Sequence, residues 1–300
     1  STKDLVNARG GVFALGNFDG VHLGHKEIIS KAISIGKKNN IPSGVLIFQP
    51  HPRKFFRPDD ENFIISDIKT RSYLLENCGL DFLGILDFDK KMSNLTPYEF
   101  VDNVINNAID VSHLIVGYNF KFGKDRSGDV EALTNICKKL KIDLSIIDKV
   151  GGDSYIFSSS SVRDCLRRAD LKGAKKIIGD YWTVKGEVIK GDQRGRQIGC
   201  PTANIWMEGW IEPLFGVYAV QLSINGLIYN GVANLGIRPT FGQSSPLLEV
   251  HLFDYSGDLY GNDIVISFID FIREEKKFDG IEALKKQIEI DSTKAIELII

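Results

Sequence analysis

The chain has 300 residues, 43% hydrophobic and 25% charged, with 29 Gly and 9 Pro, a balance that excludes disorder, collagen and coiled coil and suits about two domains. A formal net charge of −2 gives no bulk attraction for nucleic acid, and apolar runs such as Val45-Leu46-Ile47-Phe48 fall far short of the roughly 18 residues of a membrane span. The cysteines at 78, 137, 165 and 200 are widely spaced without a CxxC, and Lys3, Asp4 and Arg9 interrupt a weakly apolar start, so a cytoplasmic chain with free thiols and no signal peptide is expected.

In chain order, residues 11–15 read as a strand, followed by a Gly-rich turn and a helix with Ile29, Ala32 and Ile33 on one face. Residues 43–48 are apolar throughout, as in a strand buried on both faces. Further strands are expected at 82–86, 114–116 and 144–147. Between them, Thr96-Pro97-Tyr98-Glu99 is a capping box with Pro at the first helical position, followed by Phe100, Val101, Val104 and Ile105. Leu133, Ile136, Cys137 and Leu140 form a helical stripe. Alternating strands and helices predict a Rossmann-like parallel sheet.

From Trp182 the pattern changes to short strands and turns. Strands are expected at 183–189, 216–224, 227–233, 247–253 and 264–269, with Asn225-Gly226 as a hairpin turn. Ile281, Leu284 and Ile288 mark a closing helix. The fold class is therefore α/β plus all-β, with an N-terminal domain over 1–180 and an antiparallel barrel over 181–300.

The first chemical constellation lies between the first strand and helix, at Gly16-Asn17-Phe18-Asp19-Gly20-Val21-His22-Leu23-Gly24-His25. Its glycines let the backbone approach a ligand closely. The helix N-terminus supplies unpaired N–H groups and a positive dipole end. His22 and His25, three apart, can face the same phosphates and suit charge developing on an α-phosphate. A Gly-rich turn with two surface histidines, or part of a metal site, is the alternative reading of the residues alone.

A second constellation is Lys190-Gly191-Asp192-Gln193-Arg194-Gly195-Arg196, followed by Pro201-Thr202-Ala203-Asn204. A basic Gly loop suits closure over phosphates. Thr202 and Asn204, two apart on a strand, share a face and offer hard oxygens to Mg²⁺. The alternative is a basic hairpin loop beside a polar strand edge. Glu249 lies in an otherwise apolar strand, where a carboxylate is costly unless paired or used. An alternating strand with Glu249 towards solvent is the other reading, and His251 is read as structural.

These blocks resemble a known family. Residues 16–25 are similar to the HxGH signature of nucleotidyltransferases and, over their full length, to the flavin adenylyltransferase module of bacterial bifunctional riboflavin kinase/FAD synthetases. Pro50-His51-Pro52 resembles the family's FxPHP block. Residues 117–123 resemble GxDFRFG, with Asn119 where Asp is common. Residues 158–163 resemble SSTxIR, with Ser160 where Thr is usual. Residues 191–204 resemble the riboflavin kinase signature that ends in PTAN, with Cys200 in place of a bulky apolar residue.

The resemblance implies a bifunctional enzyme that phosphorylates riboflavin to FMN and then adenylylates FMN to FAD, using ATP and Mg²⁺. It implies adenylyl transfer aided by His22 and His25, and ATP or phosphate contacts from Gly16, Asn17, Phe18, Asp19, Gly24, Ser159, Ser160 and Arg163. In the kinase it implies Lys190, Gly191, Arg194, Gly195 and Arg196 on phosphates, Thr202 and Asn204 on the metal, and Glu249 as base on the riboflavin 5′-hydroxyl. His51, Asn119 and Arg273 are expected to contact flavin, adenine or phosphate. Small-molecule partners are expected, with neither nucleic acid nor membrane.

Overall fold

In the computed structural model, residues 7–60, 62–152, 155–191, 201–224, 226–240 and 243–300 are described. Two compact units divide the chain. One comprises Ser1–Asp60 and Arg71–Phe157, the other Glu61–Thr70 and Ser158–Ile300.

The first unit is built on β1 (Val12–Leu15), β2 (Ser43–Gln49), β3 (Phe82–Asp87), β4 (His113–Gly117) and β5 (Asp143–Ile147), in the order β3-β2-β1-β4-β5. All neighbours pair in parallel. Helix α1 (Leu23–Asn39) joins β1 to β2 and buries Ile29, Ala32 and Gly36. At Gly36 a Cβ would stand 2.9 Å from the Ser43 Cβ, so the helix lies close against β2. The chain leaves β1 to one side for β2 and later returns on the other side with β4. The carboxyl ends of β1 and β4 therefore form a switch point, where such sheets bind ligands.

Short helices α2 (Pro52–Phe56), α3 (Ile68–Glu76) and α4 (Lys90–Ser93) follow β2 and β3. The capping box forms as expected: Thr96 N donates to Glu99 Oε2 at 2.8 Å and Glu99 N to Thr96 Oγ1 at 3.3 Å. It opens α5 (Pro97–Glu99), which continues into a wider π-type helix over Phe100–Ile109. The wider turn puts Val101, Ile105 and Ile109, at steps of four, into the core, while Val104 is only partly buried. Helix α6 (Val130–Leu140) buries Leu133 and Cys137 from the expected stripe. Two-residue strands β6 (Gly151–Gly152) and β7 (Tyr155–Ile156) pair antiparallel near the end of this unit.

In the second unit, α7 (Ser159–Arg167) and α8 (Leu171–Ile178) precede β8 (Trp182–Glu187), β9 (Ala203–Trp206), β10 (Gly216–Ile224), β11 (Leu227–Thr240), β12 (Gln243–Leu252) and β13 (Asp263–Glu274). These strands form one antiparallel sheet, ordered β8-β13-β10-β11-β12-β9. Its edges meet just beyond β8, where Ile189 N donates to Asn204 O at 2.9 Å, so the sheet is a nearly closed barrel. The β10–β11 hairpin pairs Ile224 with Leu227, and Gly226 takes φ +80° as such a turn needs. Strands β11 and β13 run longer than their apolar patterns suggest. Helix α9 (Ile281–Ile299) closes the unit, its Ala295 packing with Val217, Ala219, Val232 and Ile272.

Candidate active sites

In the first unit, His22 is the N-cap of α1, and its Nδ1 accepts the His25 backbone N–H at 3.3 Å. That acceptor role leaves the His22 ring proton on Nε2. The His22 and His25 rings stack with centroids 3.6 Å apart and planes at 20°. Gly24 is closely packed here: a Cβ would lie 3.1 Å from His22 Cε1 and from Phe157 O, so the neighbours would have to give by a few tenths of an ångström.

The loop from Gly16 to Val21 is bent sharply. Phe18 has φ +50° and Val21 φ +37°, conformations that cost non-glycine residues on the order of 1–3 kcal/mol each. The Phe18 ring is buried 5.1 Å from that of His25, so what Phe18 can offer a ligand is its main chain. Asp19 is buried as well. His51 caps α2, its Nδ1 accepting from Arg53 N at 3.1 Å. Asn119 is exposed in the turn after β4, where Phe120 N donates to Gly117 O. Thus residues 16–25, His51 and Asn119 follow the carboxyl ends of β1, β2 and β4, three adjacent parallel strands.

Ser159, Ser160 and Arg163 lie on α7, in the second unit. Ser158 caps this helix, accepting from Ser161 N at 3.1 Å. Arg163 Nε donates to Phe63 O at 2.6 Å, and its guanidinium lies over the Phe63 ring.

The barrel brings part of the second constellation into one row. Glu249 on β12 is directly opposed by Asn204 on β9 and by Asn234 on β11. Continuing across the sheet, Asn234 opposes Val217, and Val217 opposes Arg273. Directly opposed residues of antiparallel strands project from one face, here the face that carries Val217 and α9. Leu248 and Val250 point the other way and are buried.

Asn204 is 3% exposed. Its Nδ2 donates to Thr202 O at 3.3 Å, while its Oδ1 is buried with no hydrogen-bond partner among the described residues. A buried carbonyl-type oxygen in that condition suits a hard cation. Gly191 lies against this amide and Lys190 is exposed. Arg194, Gly195, Arg196 and Cys200 lie outside the described residues. His251 Nδ1 lies 3.0 Å from Pro201 O, a structural tie at the start of the PTAN segment. Arg273 is engaged by α9: its Nε and Nη2 donate to the Asp291 carboxylate at 2.7–3.1 Å, and its Nη1 to Glu274 O.

Two further residues carry no motif. Asn234 interrupts an apolar strand, the same signal that singles out Glu249. Arg71, on α3, is 2% exposed and donates to Asn17 O at 2.9 Å. Nothing in its local sequence marks it.

By fold and family the chain is a transferase of two modules, one an α/β unit on a parallel sheet and the other an antiparallel barrel with a row of polar side chains on one face. The FAD synthetase family model matches residues 5–161, and the riboflavin kinase model matches 178–299. The chain is 37% identical over 290 residues to the bifunctional riboflavin kinase/FMN adenylyltransferase of Bacillus subtilis, covering 95% of this chain and 91% of that one. It is 37% identical to the enzyme of the same name from Pseudomonas fluorescens, covering 94% and 91%. A solved structure described as a macrolide-efflux protein from Streptococcus pneumoniae superposes with a TM-score of 0.81 at 30% identity, covering 97% and 95%. Among the described residues of this chain, no helix is long and apolar enough to cross a membrane.

The chain belongs to the bifunctional riboflavin kinase/FMN adenylyltransferase family. It makes FMN from riboflavin and FAD from FMN, with ATP as the co-substrate of both steps.

Proposed function

We propose that riboflavin is phosphorylated at the row formed by Asn204, Glu249 and Asn234, and that FMN is adenylylated at the start of α1. The observation that carries this reading is the position of Glu249, a carboxylate flanked in register by two carboxamides on the face that carries α9.

In the kinase step the riboflavin 5′-hydroxyl attacks the γ-phosphorus of ATP, its proton passes to Glu249, and ADP leaves. Thr202 and Asn204 fit a hard cation, on the ground of the orphaned Asn204 Oδ1. When bound, Mg²⁺ supplies charge neutralisation on the phosphates. Lys190, Gly191, Arg194, Gly195 and Arg196 hold the phosphates. Arg273 acts indirectly, seating α9 through Asp291.

In the adenylyl step the FMN phosphate is already ionised and needs no base. Its oxygen attacks the α-phosphorus of ATP, and pyrophosphate leaves. His22 and His25 stabilise the charge that develops, and the N–H groups at the start of α1 orient the phosphates. Gly16, Asn17, Phe18, Asp19 and Gly24 shape that turn. By resemblance, Ser159, Ser160 and Arg163 are assigned to further phosphate contacts, and His51 and Asn119 to flavin or adenine contacts. The division of activities falls near residue 180. Both steps are cytoplasmic, a reading supported by the free thiols of Cys78, Cys137 and Cys165.

Incubation with riboflavin, ATP and Mg²⁺, followed by chromatography of the flavins, tests the assignment. His25→Ala should accumulate FMN without FAD. Glu249→Ala should convert supplied FMN to FAD but make no FMN from riboflavin. Equal loss of both activities in either folded variant would defeat the assignment.

A further inference from the structure

We infer that Arg71 is a positioning residue for adenylyl transfer, a guanidinium beneath the nucleotide loop that fixes the direction of the loop's main-chain donors. The inference rests on the reading that the adenylyl site lies at the start of α1.

A fully buried arginine is expensive to desolvate and is retained where its hydrogen bonds are made in fixed geometry. Arg71 is 2% exposed. Its Nη1 donates to the main-chain carbonyl of Asn17 at 2.9 Å, and its Nη2 to Gln49 Oε1 at 3.2 Å. Asn17 lies in the loop after β1, and Gln49 ends β2 two residues before His51. One planar group therefore ties together the two loops that carry His22, His25 and His51.

The loop needs such a tie. Within five residues it holds Phe18 and Val21 at positive φ, and a β-branched residue in that region persists only where its surroundings over-determine it. The bond to Asn17 also has a directional effect. In a planar trans peptide the C=O and the following N–H point in opposite senses. With the Asn17 carbonyl drawn onto Arg71, the Phe18 N–H points away from the guanidinium. Phe18 offers a ligand only its main chain, so Arg71 sets the orientation of that donor without touching the substrate. Releasing the carbonyl lets the peptide turn, and the loss is felt in the rate of the chemical step.

The test compares Arg71→Met and Arg71→Lys with the wild-type chain in both activities. Arg71→Met should lower kcat for FAD formation by about 10- to 100-fold, the size expected for misplacement of about 1 Å. KM for FMN should stay within about threefold, because no group that contacts FMN is removed. Riboflavin phosphorylation by the same protein should be unchanged, which serves as the control for folding. Arg71→Lys keeps a charged donor for one of the two acceptors and should recover part of the lost kcat.

Wild-type kcat in Arg71→Met, alongside an inactive His25→Ala, would overturn this inference and leave the site assignment standing. FAD formation persisting in His25→Ala would remove the site and the inference with it. Parallel loss of both activities with a lowered melting temperature would make Arg71 a stability residue only, again overturning the proposal. If Arg71→Met cannot be obtained folded, Gln49→Met decides: it should show the same selective fall in kcat at smaller size, and its absence would count against the inference.

Discussion

Gly191 lies directly against the side-chain amide of Asn204, so that a Cβ at position 191 would stand 2.6 Å from Nδ2 and 2.8 Å from Oδ1. No real Cβ tolerates such distances, so a side chain at 191 must move the amide. Gly191→Ala should therefore reduce riboflavin phosphorylation at least about tenfold, as displacement of a positioned group does, while FAD formation from supplied FMN is unaffected. Wild-type kinase rates in this variant would show that the Asn204 amide has no part in the reaction.

His22 does two jobs that substitution can separate. As N-cap it accepts a backbone N–H, and as an imidazole it faces the phosphates in the proposed reaction. Asn keeps the cap, so His22→Asn should unfold in urea within about 0.5 kcal/mol of the wild type. His22→Ala should lose about 1 kcal/mol. Both should fail to make FAD. An active His22→Asn would reduce His22 to a helix cap.

The ion pair of Arg273 with Asp291 is largely buried, with side-chain exposures of 15% and 5%, and Gln287 adds a bond to the same carboxylate. Removing one partner strands the other charge. Asp291→Ala should cost about 3–5 kcal/mol in denaturant unfolding and loosen α9 from the face that carries Val217. A loss within about 0.5 kcal/mol would mean that water reaches the freed guanidinium.

His113 gives a pH signature. Burial lowers its pKa, with Asp143 opposing and Lys31 adding to the effect, and its Nε2 lies 2.9 Å from Ser145 Oγ. As pH falls through the ordinary histidine value near 6.5, the unfolded chain takes up the proton before the folded one. The contribution to stability is then full above that pH and declines below it, until the folded value is passed. Denaturation midpoints measured between pH 7 and 5 should fall less steeply for His113→Asn than for the wild type. Equal slopes would show that this histidine titrates alike in both states.

The parallel sheet was legible because β2 is apolar on both faces, and the capping box because its two residues bond each other locally. The Asn-Gly turn fixed the β10–β11 register in the same local way. The lengths of β11 and β13 were not legible. Asn234 and Asp270 interrupt the apolar pattern, and only pairing across the sheet, Asn234 with Glu249 and Asp270 with Ala219, accounts for their place in strands. The π-type turn after Glu99 was not legible, because Phe100, Val101 and Ile105 fit an α-helical spacing equally well. Residues 61–70 pack with the second unit through long-range bonds such as Trp182 Nε1 to Ile65 O, which leave no trace in local composition. Of the two candidate sites, the motif blocks pointed to His22, His25 and Asn204, and a carboxylate in an apolar strand pointed to Glu249. Arg71 remained hidden because a buried arginine and a solvated one look alike on a short helix.

Asn204 belongs both to the seam of the barrel and to its proposed chemistry. Its main-chain carbonyl takes the Ile189 N–H that joins the sheet's two edges, while its side-chain oxygen, buried without a hydrogen-bond partner among the described residues, is the one proposed for a cation. The proposed kinase site is thus finished by the last stitch of the barrel. An open sheet could carry every catalytic side chain and still lack the place where they act together, so recovery of phosphorylation during refolding would report the moment the ring shuts.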